Sequence, residues 1–201
     1  MTSRSDDTVR ILAMVGSLRR SSYNRMLYEA AVELAPAGMT FTEADLRSLP
    51  LYDDDERLEQ DYPEPARRLR ADIAAADGLL IVSPEYNHTV PGLLQNAIDW
   101  ASRPPDQPFK GKPVAIMGAS TGRLGTVRMQ HTLRTTLDSL EAHALLKPEV
   151  MISSAREAFD ETGLADPKAR EVVAALMAAF EGWMRRLAPV PQPAPDDAGV
   201  R

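Results

Sequence analysis

Three short runs of almost unbroken apolar residues, Val9–Val15, Gly78–Ser83 and Pro113–Gly118, each run up to a Gly or a Pro. A strand can dispense with polar alternation only when both of its faces are covered, so these runs are expected as central strands of a buried parallel sheet. Helical apolar spacing fills the intervals. From Asn24, residues Met26, Leu27, Ala30, Ala31 and Leu34 recur on one face until Pro36-Ala37-Gly38 stops them. Glu64–Ala76, Gly92–Ser102, Gly125–Leu140 and Pro167–Leu187 read as further helices. Thr40–Leu46 is half polar and reads as a second strand nearer an edge. Ala144–Ile152 reads as a fifth, placed at an edge because Pro148 donates no ladder hydrogen bond. Strand and helix alternating five times give an α/β fold, a parallel sheet covered by helices on both faces. Right-handed crossovers and the apolar centre point to strand order 2-1-3-4-5.

One domain over residues 9–187 follows from a chain of 201 residues. Residues 1–8 are polar and expected to be flexible. Ala188–Arg201 holds four prolines in its first eight residues, has no apolar period, and is expected to be a disordered tail. Ser48–Tyr62 reads as a long acidic loop whose Asp53–Glu56 run is solvated, with its apolar lead-in Leu49–Tyr52 reaching toward a partner subunit. The net charge of −6 offers no basic face for nucleic acid. No stretch approaches the ~20 apolar residues that span a bilayer, and the N-terminus does not read as a signal peptide. Cysteine is absent, which removes disulfides and thiol chemistry and suits a reducing cytoplasm, where the chain is expected to reside. His88, His131 and His143 lack metal-ligand spacing, so no metal is expected.

In a doubly wound sheet the ligand sits beyond the carboxyl ends of the strands, where the strand order switches. That singles out three loops. Gly16–Tyr23 and the following Asn24 offer hydroxyls at Ser17, Ser21 and Ser22, the Arg19 guanidinium and an amide at a helix start, a pattern suited to a terminal phosphate dianion. A plain Ser-rich helix cap with a surface Arg fits the same residues. Pro84–Pro91 is a rigid loop that can present backbone groups to a flat heterocycle, with Tyr86 and Asn87 at its edge; an aromatic packed on the helix below is the bland alternative. Ala119–Leu124 is built of small residues that let backbone approach a ring or a ribityl chain. Together the loops describe a mononucleotide with one phosphate and a flat ring, on a flavodoxin-like three-layer sandwich.

Those residues resemble the NADPH-dependent FMN reductase family, which includes quinone, chromate and azo-dye reductases. Its Gly-Ser-x-Arg-x-x-Ser-x-Asn pattern is matched at Gly16, Ser17, Arg19, Ser22 and Asn24. Its Pro-Glu-Tyr-Asn block is matched at Pro84, Glu85, Tyr86 and Asn87, and its Pro-Gly…Asn-Ala-x-Asp-Trp block at Pro91–Trp100, with Gln95 where Lys is common. A Gly-x-Ser-x-Gly…Gly-x-x-Arg-x-Gln block lies at Gly118–Gln130. The likeness runs from about Val9 to Ile152.

The resemblance implies bound FMN, its phosphate on Ser17, Arg19, Ser22 and Asn24. Its isoalloxazine would lie against Pro84, Glu85, Tyr86 and Asn87, with Ser120, Thr121 and Gly122 closing the other side. Glu85 is read as meeting the flavin through its backbone, with its carboxylate turned outward. The resemblance also implies NADPH or NADH as co-substrate: hydride passes from the nicotinamide C4 to flavin N5, NADP⁺ leaves, and a quinone, azo compound, metal oxyanion or flavin takes the electrons. No catalytic acid–base side chain is required, because the flavin carries the chemistry. A homodimer or homotetramer is implied too, with the pocket completed across an interface. Arg128 and Gln130 read equally as interface residues or as a solvated face. A rival function is a flavodoxin-like electron carrier that oxidises no nicotinamide. A phospho-receiver is excluded, since Met14-Val15-Gly16 and Ser83-Pro84 stand where it needs acidic residues.

Overall fold

The computed structural model describes residues 8–188. The expectations for residues 1–8 and 188–201 therefore lie almost wholly outside the described residues. The elements are β1 (Val9–Val15), α1 (Tyr23–Leu34), β2 (Met39–Glu43), α2 (Asp54–Gln60), α3 (Glu64–Ala75), β3 (Gly78–Val82), α4 (Gly92–Ala101), β4 (Pro113–Ala119) and α5 (Val127–Ser139). They continue with β5 (His143–Ala144), β6 (Val150–Ile152), α6 (Ala155–Ala158), β7 (Phe159–Asp160), β8 (Gly163–Leu164) and α7 (Pro167–Leu187). The main sheet has the order β2-β1-β3-β4-β5, with β6 also paired to β4, and every pairing in it is parallel.

The unbroken apolar runs reflect two cores. Along β3, Leu80 and Val82 join α1 and α7 on one face, while Leu79 and Ile81 join α3, α4 and α5 on the other. β1 divides likewise, with Ile11 on the first face and Leu12 and Met14 on the second. Each core strand residue is removed from water, worth about 1.5–3 kcal/mol for a large aliphatic side chain.

Three expectations need correction. The acidic stretch is not a continuous loop, because Asp53 caps α2 by accepting from the Asp55 N–H at 2.9 Å. Asp54, Asp55 and Glu56 then fill its first turn, where the helix dipole favours negative charge, and Arg57 pairs with Asp54 at 2.6 Å. The apolar lead-in mostly turns inward. Leu49 and Tyr52 pack beside buried Trp100, whose indole N–H donates to the Pro50 carbonyl at 2.9 Å, leaving Leu51 85% exposed. The fifth strand is two pieces: β5 pairs with the start of β4 and β6 with its end. Pro148 lies in the gap, where it has no N–H to continue the ladder.

The carboxyl ends of the central strands approach too closely for side chains. A Cβ on Gly118 would stand 2.3 Å from the Ser83 carbonyl oxygen and 2.6 Å from Thr126 Oγ1, whereas one on Gly92 would meet open space. Gly118→Ala is expected to cost at least the ~1–3 kcal/mol typical of overpacking, and Gly92→Ala to change stability by less than about 1 kcal/mol. Urea denaturation of both variants checks this; equal midpoints would refute the packing argument.

Candidate active site

β1 ends where the Gly16 N–H donates to the Val82 carbonyl at 2.9 Å, and the chain then loops to α1. Ser22 is the N-cap of α1; its Oγ accepts from the Asn24 N–H at 3.2 Å. Among the described residues, the backbone N–H groups of Ser17 to Tyr23 have no protein acceptor. Ser17 is buried beside them. The Arg19 guanidinium lies 5.8 Å from the centre of the Tyr23 ring, which itself packs on Phe159 with centroids 5.3 Å apart. Free donors at the N-terminus of a twelve-residue helix, with a guanidinium alongside, suit an anion.

Asn24 does something the sequence did not disclose. Its Nδ2 donates to the Ala119 carbonyl and its Oδ1 accepts from the Ala119 N–H, both at 2.9 Å. The amide thus reads β4 as a neighbouring strand would, and locks the first loop to the third. Asn24 therefore holds the first loop in place, with one amide hydrogen and Oδ1 engaged on Ala119.

The second loop leaves β3 through Ser83, fully buried, whose Oγ donates to the Pro84 carbonyl at 3.1 Å. Tyr86 and Thr89 exchange backbone hydrogen bonds of 3.2 and 3.0 Å, closing a two-residue turn with Asn87 at φ 50° and His88 at φ 64°. Positive φ at both positions is the primed hairpin turn that Asn favours. The turn holds Tyr86 half exposed at the crevice.

The carboxylate of Glu85 points inward, contrary to expectation, and its side chain is only 8% exposed. It accepts from the Met129 N–H at 3.0 Å and from Arg128 Nη1 at 3.4 Å, with His88 Nδ1 also 3.4 Å away. Thr126, the N-cap of α5, supplies no side-chain cap, so Glu85 caps that helix from another loop. Burial pushes the Glu85 carboxyl upward, but the Met129 N–H, His88 and Arg128 outweigh it and hold the group below its ordinary value.

The third loop is braced from behind. Ser120 donates its N–H to the Ile152 carbonyl at 2.9 Å and accepts from the Ala155 N–H at 3.0 Å. Gly122 accepts from the Ser154 N–H at 3.2 Å, and its own N–H donates to Ser120 Oγ at 3.1 Å. Thr121 and Gly122 are left exposed at the crevice. The bracing segment, α6 with the β7–β8 hairpin, was not anticipated. The turn residues Asp160–Gly163 were its signal, with Asp160 accepting from the Thr162 N–H at 2.7 Å. Gln130 is neither an interface nor a solvated residue: it is buried, and its Nε2 donates to the Val150 carbonyl at 2.9 Å.

The family model for NADPH-dependent FMN reductases matches residues 9–157. The chain belongs to this family. It is 51% identical over 182 residues to an NAD(P)H-dependent FMN reductase of Pseudomonas aeruginosa, spanning 90% of this chain and 98% of the relative. It is 41% identical over 179 residues to a 2-hydroxy-1,4-benzoquinone reductase of a Burkholderia species, spanning 88% and 97%. Among solved structures it resembles the flavoenzyme NAD(P)H:(acceptor) oxidoreductase FerB of Paracoccus denitrificans, with TM-score 0.82, 34% identity and coverage of 89% and 98%. FMN is the family's cofactor and NAD(P)H its reductant. The free N–H groups of residues 17–23 fit the cofactor's phosphate, and the open backbone around Gly122, with only Ser120 Oγ near a Cβ placed there, fits its ring system.

Because the folded-state pKa of Glu85 is lowered, its contribution to stability is fully present above the unfolded value of about 4.3 and is lost as pH falls through the folded value. The stability gap between the native protein and Glu85→Gln is expected to be of order 1 kcal/mol at neutral pH, typical of a lost helix cap. It should narrow below about pH 4.3. Urea titrations from pH 7 down to pH 3 check this; a gap independent of pH would refute the capping role.

Proposed function

We propose that the chain oxidises NAD(P)H on bound FMN and delivers the electrons to small-molecule acceptors, foremost quinones. The observation that carries the reading is the crevice at the carboxyl ends of β1, β3 and β4. Unpaired N–H groups and Arg19 stand at one end, and a rigid hairpin faces a small-residue loop at the other. The quinone acceptor is supported by the 2-hydroxy-1,4-benzoquinone reductase among the relatives. Azo compounds, metal oxyanions and free flavin need only an open face through which electrons leave, and belong to the same proposed acceptor range.

In this reading Ser17, Arg19, Ser22 and the N–H groups of their loop hold the FMN phosphate, with Asn24 keeping that loop in register. Pro84, Glu85, Tyr86 and Asn87 shape one side of the ring site, Glu85 by anchoring the loop to α5. Ser120, Thr121 and Gly122 close the other side. FMN, when bound, supplies acceptance of hydride and its release as electrons. The protein orients two flat rings against each other and keeps water from between them. The carboxylate of the second loop, Glu85, is occupied by the N-terminus of α5, so the chain contributes position rather than proton transfer to hydride uptake.

Among the described residues no helix is long and apolar enough to cross a membrane. We place the protein in the cytoplasm, consistent with its lack of cysteine. Tyr86 and Leu124, 50% and 54% exposed, border the crevice and are read as covered by a second copy in a homodimer or homotetramer. Light scattering of a micromolar solution is expected to give that mass, and a fully active monomer would overturn it.

Anaerobic mixing of the FMN-loaded protein with NADPH is expected to bleach the flavin within seconds, followed by reoxidation on adding a benzoquinone. Flavin that stays oxidised would instead mark an electron carrier. Arg19→Ala removes a charge-assisted bond worth about 1.5–3 kcal/mol. FMN affinity, read by flavin fluorescence, is expected to fall roughly tenfold to a hundredfold, with the apo-protein melting unchanged; undiminished affinity would remove Arg19 from the phosphate site.

A further inference from the structure

The edge of the sheet opposite β2 is β5, and its outer side lies open. The N–H groups of His143 and Leu145 both donate to β4, at the Lys112 and Val114 carbonyls, each at 2.8 Å. Hydrogen-bonding direction alternates along a strand, so the N–H and C=O groups of Ala144 and Leu146 point outward. They have no protein partner among the described residues. A hollow of about 580 Å³ surrounds them. On one face of the sheet it is walled by Arg134 of α5, whose Nη1 donates to the Leu145 carbonyl at 2.8 Å. On the other it is walled by Trp183 of α7, whose Nε1 donates to the His143 carbonyl at 2.9 Å. Leu146 stands 69% exposed in the opening. Two helices thus border the next strand position, beside the start of β4 and away from the crevice at its end.

An unpaired strand edge is a template for a further extended segment. The sequence after α7 holds such a segment, Pro189-Val190-Pro191-Gln192-Pro193-Ala194-Pro195, with proline at every second position. In an extended chain the N–H groups of Val190, Gln192 and Ala194 point to one side. On the other side stand the prolines, which have no N–H to give. The segment can therefore pair fully along one edge only, and it closes a sheet without offering a second edge, the place proline takes in edge strands. Its donors recur at every second residue, the spacing of the outward groups of Ala144 and Leu146.

We propose that residues 189–195 of a second copy of this chain add to the outer edge of β5 as the next strand. The crossover rule decides between the copies. α1 carries the chain from β1 to β2, toward the opposite edge, and α7 packs on the same face as α1. A return from α7 to the outside of β5 within one chain would be a left-handed crossover, a form taken by only about 2% of such connections. A neighbouring copy is under no such constraint. Trp183, bonded to β5, lies five residues before Ala188, so the tail departs beside the edge that receives it. A two-fold axis next to both lets two copies exchange tails reciprocally. The thirteen residues 189–201 reach up to about 40 Å when extended. This contact is separate from the copy read as covering Tyr86 and Leu124, and it does not depend on the oxidoreductase reading.

The test uses the full-length, FMN-loaded protein, with hydrogen–deuterium exchange over residues 143–147 and light scattering as readouts. Val190→Pro combined with Gln192→Pro removes two of the N–H groups that face the edge. The Ala144 and Leu146 amides are expected to exchange at least tenfold faster in that variant than in the native protein, and the mass of the assembly to halve. Pro191→Ala combined with Pro193→Ala changes only outward positions and should keep both the protection and the mass. Equal exchange in the native protein and the Val190→Pro, Gln192→Pro variant would overturn the proposal. Equal losses in the two double variants would also overturn it, by showing that the prolines dock through their rings rather than through a ladder. Protection lost with no change of mass would assign the tail to its own chain and overturn the exchange between copies.

Discussion

The whole arrangement depends on how closely the carboxyl ends of β1, β3 and β4 are drawn together. Ser83 sits fully buried between Gly16 and Gly118, and neither glycine has room for a methyl group beside it. The Asn24 amide adds two hydrogen bonds of 2.9 Å to Ala119 from the start of α1. Buried backbone groups left without such partners would each cost about 1–3 kcal/mol, so the first and third loops are held in one register. A crevice built this way is available before any ligand arrives, and preorganisation of that kind lowers the ordering cost of binding.

The second loop is fixed by a different device. Glu85 satisfies the N-terminus of α5 in place of a local cap, so one carboxylate fastens a crevice loop to a helix that packs on the sheet. The adjoining hairpin can then be tight, with positive φ at Asn87 and His88, and hold Tyr86 in the open. A cofactor that supplies the reactive atoms needs little else from the protein than such rigid placement. The polar groups of the site are accordingly used mostly to hold backbone, and the backbone donors left free gather at the start of α1.

Much of this was legible beforehand. β3 and β4 are buried on both faces, as is β1 from Ile11 onward, so these stretches had to be apolar, whereas a strand with one face in water would have alternated. The bounds of β1 and α7 agree with the expected ones because sharp punctuation marks them, Gly16 after the first and Pro167 at the start of the second. The misreadings have local causes. Four consecutive acids at 53–56 look like a solvated loop, yet the same charges stabilise a helix start once Asp53 caps it. The strand expected at Ala144–Ile152 has the right composition, but Pro148 interrupts the ladder.

The sequence by itself determined the layered α/β fold, the order of its strands, the three loops that meet at the switch point and the family whose blocks those loops carry. These are set by local chemistry: periodicity, turn residues and short motifs. Tertiary structure alone decided what individual polar side chains do. Asn24 and Glu85 stand inside motifs and look like ligand contacts, but their partners, Ala119 and Met129, lie 95 and 44 residues away in the chain. A hydrogen bond or an uncompensated charge depends on which distant groups share the space, and that is known only once the chain has folded.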